Sequence, residues 1–280
     1  MREFDVRIIK NQVRDMFIAM NYEISADLKT AMICAIENET SELAREVLVD
    51  LLKNAELATE SSIPMCQDTG MAVVFLEVGQ EICFRGDFVG DVINQGVREA
   101  YEEGYLRKSV VNNPLDRVNT RDNTPAIIHY ELVPGDRVKL ICAAKGFGSE
   151  NMSRIKMLNP SEGASGVVDF VVETVRLAGS NPCPPMVIGV GIGGTMEKAA
   201  LIAKKALTRD IGQNSEDRVT AELEKLILEK INMLRIGPQG FGGNTTAFAV
   251  NIDMFATHIA GLPVAVNINC HASRHREAIL

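Results

Sequence analysis

Apolar residues return at helical spacing through the first sixty positions of the chain. Ile9, Val13, Met16, Phe17 and Met20 mark one predicted helix face. Leu43, Val47, Leu48, Leu51 and Leu52 mark another, behind a cap at Thr40 or Ser41. From residue 70 the pattern changes to short apolar runs between helical stretches. "MAVVFLEV" predicts a strand, and "FVGDVINQGVREAYEEGYLR" predicts a helix with Val89, Val92, Ile93 and Ala100 inward. "AIIHYELV" and "RVKLICAA", joined by Pro134-Gly135-Asp136, predict a hairpin. Ser161 is placed to cap a helix through "GVVDFVVETVRLA". "PMVIGVGIGG" predicts a buried strand feeding a turn, followed by the helices "TMEKAALIAKKAL" and "RVTAELEKLILEKINML". Strands are expected around "TTAFAVNI" and "LPVAVNI".

This order predicts a mixed α/β fold: a helical region over residues 1–60, then a mixed sheet with flanking helices. No Pro/Ser-rich linker or low-complexity tract divides the chain, so a single domain over 1–280 is expected. At 280 residues and 46% hydrophobic content it can bury a sizeable core. The net charge is −8 with no basic block, which argues against nucleic acid as a partner. The N-terminal "MREFDVRIIKNQ" lacks the apolar core of a signal peptide, and Asp253, His258 and Pro263 interrupt the most apolar late stretch. A cytoplasmic protein without membrane partners is therefore expected, with thiols kept reduced.

The six cysteines sort by setting. Cys34, Cys83 and Cys142 lie in helix-like or strand-like context, where a free thiol behaves as a small hydrophobe. Cys66 in "PMCQDTG", Cys183 in "NPCPPM" and Cys270 in "VNINCHASRH" lie at element ends among turn-forming and polar residues. No CxxC pair occurs, which excludes a zinc ribbon. Three distant thiols that converged would suit an iron–sulfur cube with one iron open, since full ligation takes four. Spacing alone favours three unrelated thiols.

"GVGIGG" (Gly189–Gly194) satisfies G-x-G-x-x-G formally. Its following region, "RDIGQNSEDR", offers no strand-end acid for a ribose, so a nucleotide-binding reading is a lesser alternative. "KGFGSEN" and "PQGFGGNTT" repeat a Gly-Phe-Gly turn whose amides could hold an anion, or form ordinary loops. Arg107 ends "EEGYLR", where it could serve a helix dipole or clamp a carboxylate. His258 could be a satisfied half-buried histidine or a donor to substrate. His271, Arg274, His275 and Arg276 surround Cys270 with cationic groups, favouring thiolate and anionic substrates.

Taken together, "PMCQDTG", "YLRKS", "NTRDNTPAIIHYELV", "KGFGSENMSRIKML", "GVGIGGTMEKAALIAKKAL", "GFGGNTTAFAV" and "VNINCHASRH" resemble the class I (iron–sulfur) fumarase family, which includes L(+)-tartrate dehydratase. The resemblance runs the length of the chain and is to the α subunit of the two-subunit form. It implies a 4Fe–4S cluster held by Cys66, Cys183 and Cys270. It implies substrate contacts at Gln67, Arg107, Gly146, Gly148, Ser149 and His258, and acid/base chemistry at Asp68. Phe147 departs from the run of glycines that many relatives carry at this turn. The resemblance also implies a β subunit supplying further catalytic residues, within a heterotetramer, without which this chain would be inactive.

The reaction implied is reversible hydration of fumarate to (S)-malate, with an open iron acting as Lewis acid. Dehydration of L(+)-tartrate to oxaloacetate is the alternative. Different classes of reading are a nucleotide-binding protein built around "GVGIGG" and a zinc hydrolase using Cys66, Cys183 and a histidine.

Overall fold

Strand register divides the apolar runs of the chain among two four-stranded sheets and one two-stranded sheet. In chain order the first elements are β1 (Arg2–Asp5), α1 (Arg7–Tyr22), α2 (Ala26–Asn38), α3 (Glu42–Ser61), β2 (Met71–Gly79), β3 (Ile82–Arg85) and α4 (Val89–Glu103). Then come β4 (Ile127–Val133), β5 (Val138–Lys145), α5 (Phe147–Glu150), β6 (Arg154–Leu158), α6 (Gly163–Ala178) and β7 (Met186–Gly193). The chain closes with α7 (Met196–Ala206), α8 (Arg218–Asn232), β8 (Ala247–Phe255), β9 (Leu262–Asn269) and β10 (His275–Ile279). The fold is mixed α/β, as the sequence pattern predicts. This computed structural model describes residues 1–280, grouped in two units. One comprises Met1–Ser25, Asn54–Phe147 and Arg274–Leu280; the other comprises Ala26–Lys53 and Gly148–Ser273. No helix is long and apolar enough to cross a membrane.

In the first unit the sheet order is β10-β5-β2-β4. Helix α1 buries the predicted stripe Ile9, Val13, Met16, Phe17 and Met20, in one core with Ile93, Val97 and Tyr101 of α4. Each such side chain removed from water contributes on the order of 2 kcal/mol. The predicted hairpin does not form. β4 and β5 both pair with β2, one parallel and one antiparallel, so β2 lies between them. The Pro134–Asp136 turn instead arches over the end of β2. There the Gly79 amide donates to Arg137 O at 2.8 Å and the Gln80 amide to Val133 O at 2.8 Å. Turn residues mark a reversal, but they do not say which strand fills the gap. β1, unanticipated in the helical region, pairs in parallel with β3.

Three boundary expectations also need correction. α4 stops at Glu103, with Gly104 after it, so Arg107 lies in the following loop and does not serve a helix end. In α3 the fully buried positions include Ala44, Leu48 and Ala58, whereas Leu43 is 51% exposed. The larger side chain misled the period because close packing favours the smaller one there. Ser161 is not a cap. Asn159 and Glu162 satisfy each other's backbone amides, and α6 follows. Ser41 does cap α3, accepting from the Ala44 amide.

The second unit is built on β6-β9-β7-β8, with β7 buried along its whole length. β7 runs parallel to β8 and antiparallel to β9. Helix α7 lies so close on β7 that a Cβ at Gly189 would stand 2.1 Å from Ala203 O, and one at Gly191 would stand 2.0 Å from Ala199 O. The two glycines therefore serve strand–helix contact in mid-strand, a packing reason for "GVGIGG" that needs no nucleotide. Gly191→Ala is expected to destabilise the chain by about 2 kcal/mol or more in urea unfolding followed by circular dichroism. Gly261→Ala, whose Cβ would meet only ordinary contacts, should stay within about 1 kcal/mol of wild type.

Candidate active site

The turn before β2 is fixed residue by residue. The Met65 amide donates to Asn21 O at 3.0 Å, and Asn54 Nδ2 donates to Met65 O at 2.9 Å. Cys66 follows, half-buried, then exposed Gln67. Thr69 is buried and its hydroxyl donates to Arg107 O at 3.1 Å. Gly70 has φ +83°, and a Cβ there would stand 2.7 Å from the Ala144 carbonyl carbon. Glycine alone allows β5 to approach so closely. Tyr101 Oη lies 2.9 Å from Thr69 O and 2.7 Å from Gly70 O. Burial pushes the Tyr101 hydroxyl well above its ordinary pKa, so it stays a donor. Buried Asn123 donates to Gly70 O and accepts from the Ser109 amide, fastening the loop that carries Arg107.

Asp68 lies at the centre of this arrangement. Its Oδ1 accepts from the Gly70 amide at 2.9 Å and its Oδ2 from the Phe147 amide at 2.8 Å. The first Gly-Phe-Gly turn does hold an anion, and the anion is the protein's own carboxylate. A Cβ built on Gly146 would stand 3.2 Å from Asp68 Oδ2 and 3.6 Å from Arg274 Nη2. Arg274 is 3% exposed, donates through Nη1 to Asn21 Oδ1 at 2.8 Å, and has no partner at Nε. Lys145, also buried, donates to Gly146 O at 3.2 Å. The sequence offered Arg274 only as one of several charges near Cys270. Its burial beside Asp68 depends on β10 pairing with β5, which no local pattern announces.

In the second unit the strand register joins two of the singled-out cysteines. β9 runs antiparallel to β7 with Asn269 opposite Val187, so the chain entering β7 meets the chain leaving β9. The His271 amide donates to Cys183 O at 3.2 Å across 88 positions, and the ring Nδ1 of the same residue lies 3.1 Å from that oxygen. Cys183 is exposed with φ +56°, and Cys270 is half-buried. Gly148 is near this corner, a Cβ there standing 3.7 Å from Asn181 O, and Ser149 is buried beside it. His258 is not. It sits exposed in the turn before β9, with Nδ1 accepting from the Ala260 amide, whereas Cys270 follows the other end of that strand. The eight residues of β9 separate them by about 25 Å.

The second Gly-Phe-Gly turn also holds the chain's own carboxylate. Glu39 Oε2 accepts from the Asn244 amide at 2.7 Å, and Oε1 accepts from the Thr40 and Ser41 amides. None of the six cysteines is in a disulfide. Cys142 lies in the core, where burial pushes its thiol pKa up, as expected of a small hydrophobe. Cys34 is instead exposed on α2, so the same description fails there. Within neither unit do three or more His, Cys, Asp or Glu side chains gather closely enough to hold a metal ion.

Comparison with known proteins agrees with these motifs. A family model described as fumarate hydratase (fumerase) matches residues 10–279. A Methanocaldococcus jannaschii protein, provisionally named L(+)-tartrate dehydratase subunit alpha, is 42% identical over 272 residues, covering 95% of each chain. The L(+)-tartrate dehydratase subunit alpha of Escherichia coli strain UTI89 is 36% identical over 240 residues, covering 84% of this chain and 78% of its own. Its K12 counterpart is 35% identical over the same length. With a match over nearly the whole chain, this protein belongs to the fumarate hydratase (fumerase) family of hydro-lyases.

Proposed function

We propose that the chain is the α subunit of an iron–sulfur hydro-lyase that interconverts fumarate and (S)-malate together with a β subunit. The observation that carries the reading is the joining of the Cys183 and Cys270 loops, neither cysteine in a disulfide, by the His271 amide. Cys66, Cys183 and Cys270 would hold a 4Fe–4S cluster. Partly exposed cysteines outside any disulfide, at the ends of rigid elements, suit such a donor set, and core-bound Cys142 does not. When bound, the cluster supplies an open, Lewis-acidic iron for the substrate's hydroxyl and one carboxylate.

The chain's own residues then have separate tasks. Asp68 is the acid/base group. Two amides fix its rotamer, and each carboxylate oxygen keeps a lone pair for a proton from substrate. Arg107 is exposed and forms no ion pair, so its guanidinium can meet a substrate carboxylate and offset charge developing there. Gln67, beside Asp68 and exposed, orients the substrate. Gly146, Gly148 and Ser149 line the turn whose Phe147 amide holds Asp68. His258, at the far end of β9 from Cys270, is given no step.

L(+)-tartrate is a second reading, favoured by the names of the relatives. It differs from malate by one further hydroxyl, and none of the residues named here selects for or against that group. The αβ complex, prepared without oxygen, should dehydrate (S)-malate faster than L(+)-tartrate. The reverse ranking would move the assignment to tartrate, and turnover of neither would overturn the function. Asp68→Asn should lower kcat by about 10²- to 10⁴-fold while keeping the visible absorption of the cluster. Cys34→Ala should keep both activity and colour. Full activity in Asp68→Asn would remove the acid/base role.

A further inference from the structure

Gln239 opens the second Gly-Phe-Gly turn in a left-handed conformation, φ 51°. That geometry costs a non-glycine residue about 1 kcal/mol or more, so something must hold it. Both of its nitrogens turn back to one carbonyl. The backbone amide donates to Pro184 O at 2.8 Å and Nε2 donates to the same oxygen at 2.9 Å. A carbonyl only accepts, so the side-chain nitrogen is the atom that faces it. Nε2 also stands 3.1 Å from His271 Nδ1. His271 Nδ1 also lies 3.1 Å from Cys183 O, so this ring nitrogen accepts from Nε2 in one tautomer and donates to Cys183 O in the other.

The pairing is specific. Pro184 directly follows Cys183, and His271 directly follows Cys270. One amide group thus touches the residue after each of two cysteines, which the His271 amide also joins. The turn that carries Gln239 is itself anchored beyond this point. The Gly237 amide donates to Thr246 Oγ1 at 3.2 Å, and the Asn244 amide donates to the buried Glu39 carboxylate.

We propose that Gln239 is a positioning residue that holds the Cys183 and Cys270 loops in register before metal binds. The inference rests on reading those cysteines as ligands. It assigns the "PQGFGG" motif a role the reaction itself does not use. Groups behind the ligands of a metal site commonly change its affinity by about 10- to 100-fold, because they fix ligand orientation without touching the metal.

The test uses the αβ complex reconstituted with ferrous iron and sulfide, then challenged with a chelator. Gln239→Ala removes the side-chain bonds but leaves the backbone one. Gln239→Glu keeps the shape and turns an acceptor toward the Pro184 carbonyl oxygen. Both variants should lose the cluster to chelator at least about 10-fold faster than wild type. Gln239→Lys, which restores a donor of similar reach, should recover part of the loss. Turnover per bound iron and the circular dichroism spectrum should stay unchanged. Wild-type retention in Ala and Glu variants would overturn the inference alone. A wild-type complex that takes up no iron would overturn the reading of the cysteines, and this inference with it.

Discussion

One hydrogen bond, from the His271 amide to the Cys183 carbonyl, depends on most of the second unit being correct. It forms because β9 returns antiparallel beside β7. β7 can occupy that central, fully buried position because Gly189 and Gly191 admit α7 onto its face. Shifting the register by one residue would turn the side chains of β9 to the opposite face and separate the two loops. The site is thus a consequence of sheet packing, and the same backbone contacts that build the core bring Cys183 and Cys270 together.

A second constraint is the treatment of carboxylates. Two Gly-Phe-Gly turns each hold one, and the difference between them is instructive. Glu39 is buried and accepts amide hydrogens at both oxygens, three in all, which leaves it a structural tie. Asp68 is only half-buried and accepts one amide per oxygen. A carboxylate offers about four lone-pair sites, so Asp68 is held in place with accepting capacity to spare. That is the condition an acid/base residue needs: fixed orientation without saturation. Beside it, buried Arg274 and Lys145 bring hydrogen-bond donors to the same turn. The carboxylate is therefore set in a polar surround built from β5, α1 and the residue that precedes β10.

How much of this could be read from the sequence depended on the range of the interaction. The stripe of α1 and the buried run of β7 were legible because period and burial are local properties. The Ser41 cap was legible for the same reason. The position of β2 between β4 and β5 was not, since the Pro-Gly-Asp turn signals reversal and says nothing of the intervening strand. Leu43 was misread because size was taken for burial, and Arg107 because the helix stops a turn earlier than its apolar pattern. The turns around Cys66, Cys183 and Cys270 stood out by composition, but only strand register joins Cys183 to Cys270. Arg274 and Gln239 lie in stretches that composition marks, but nothing local assigns them their contacts. Their roles come from pairings of β10 with β5 and of one loop with another.

The proposed function requires Cys66, Cys183 and Cys270 to serve one iron–sulfur centre. The most direct measurement is iron and acid-labile sulfide in the αβ complex purified without oxygen, alongside Cys66→Ser, Cys183→Ser, Cys270→Ser and the core variant Cys142→Ala. Iron and sulfide are expected in equal amounts in the wild type and in Cys142→Ala, with loss of both in each of the three serine variants. Zinc without sulfide in the wild type, or an undiminished centre in any of the three serine variants, would contradict that expectation.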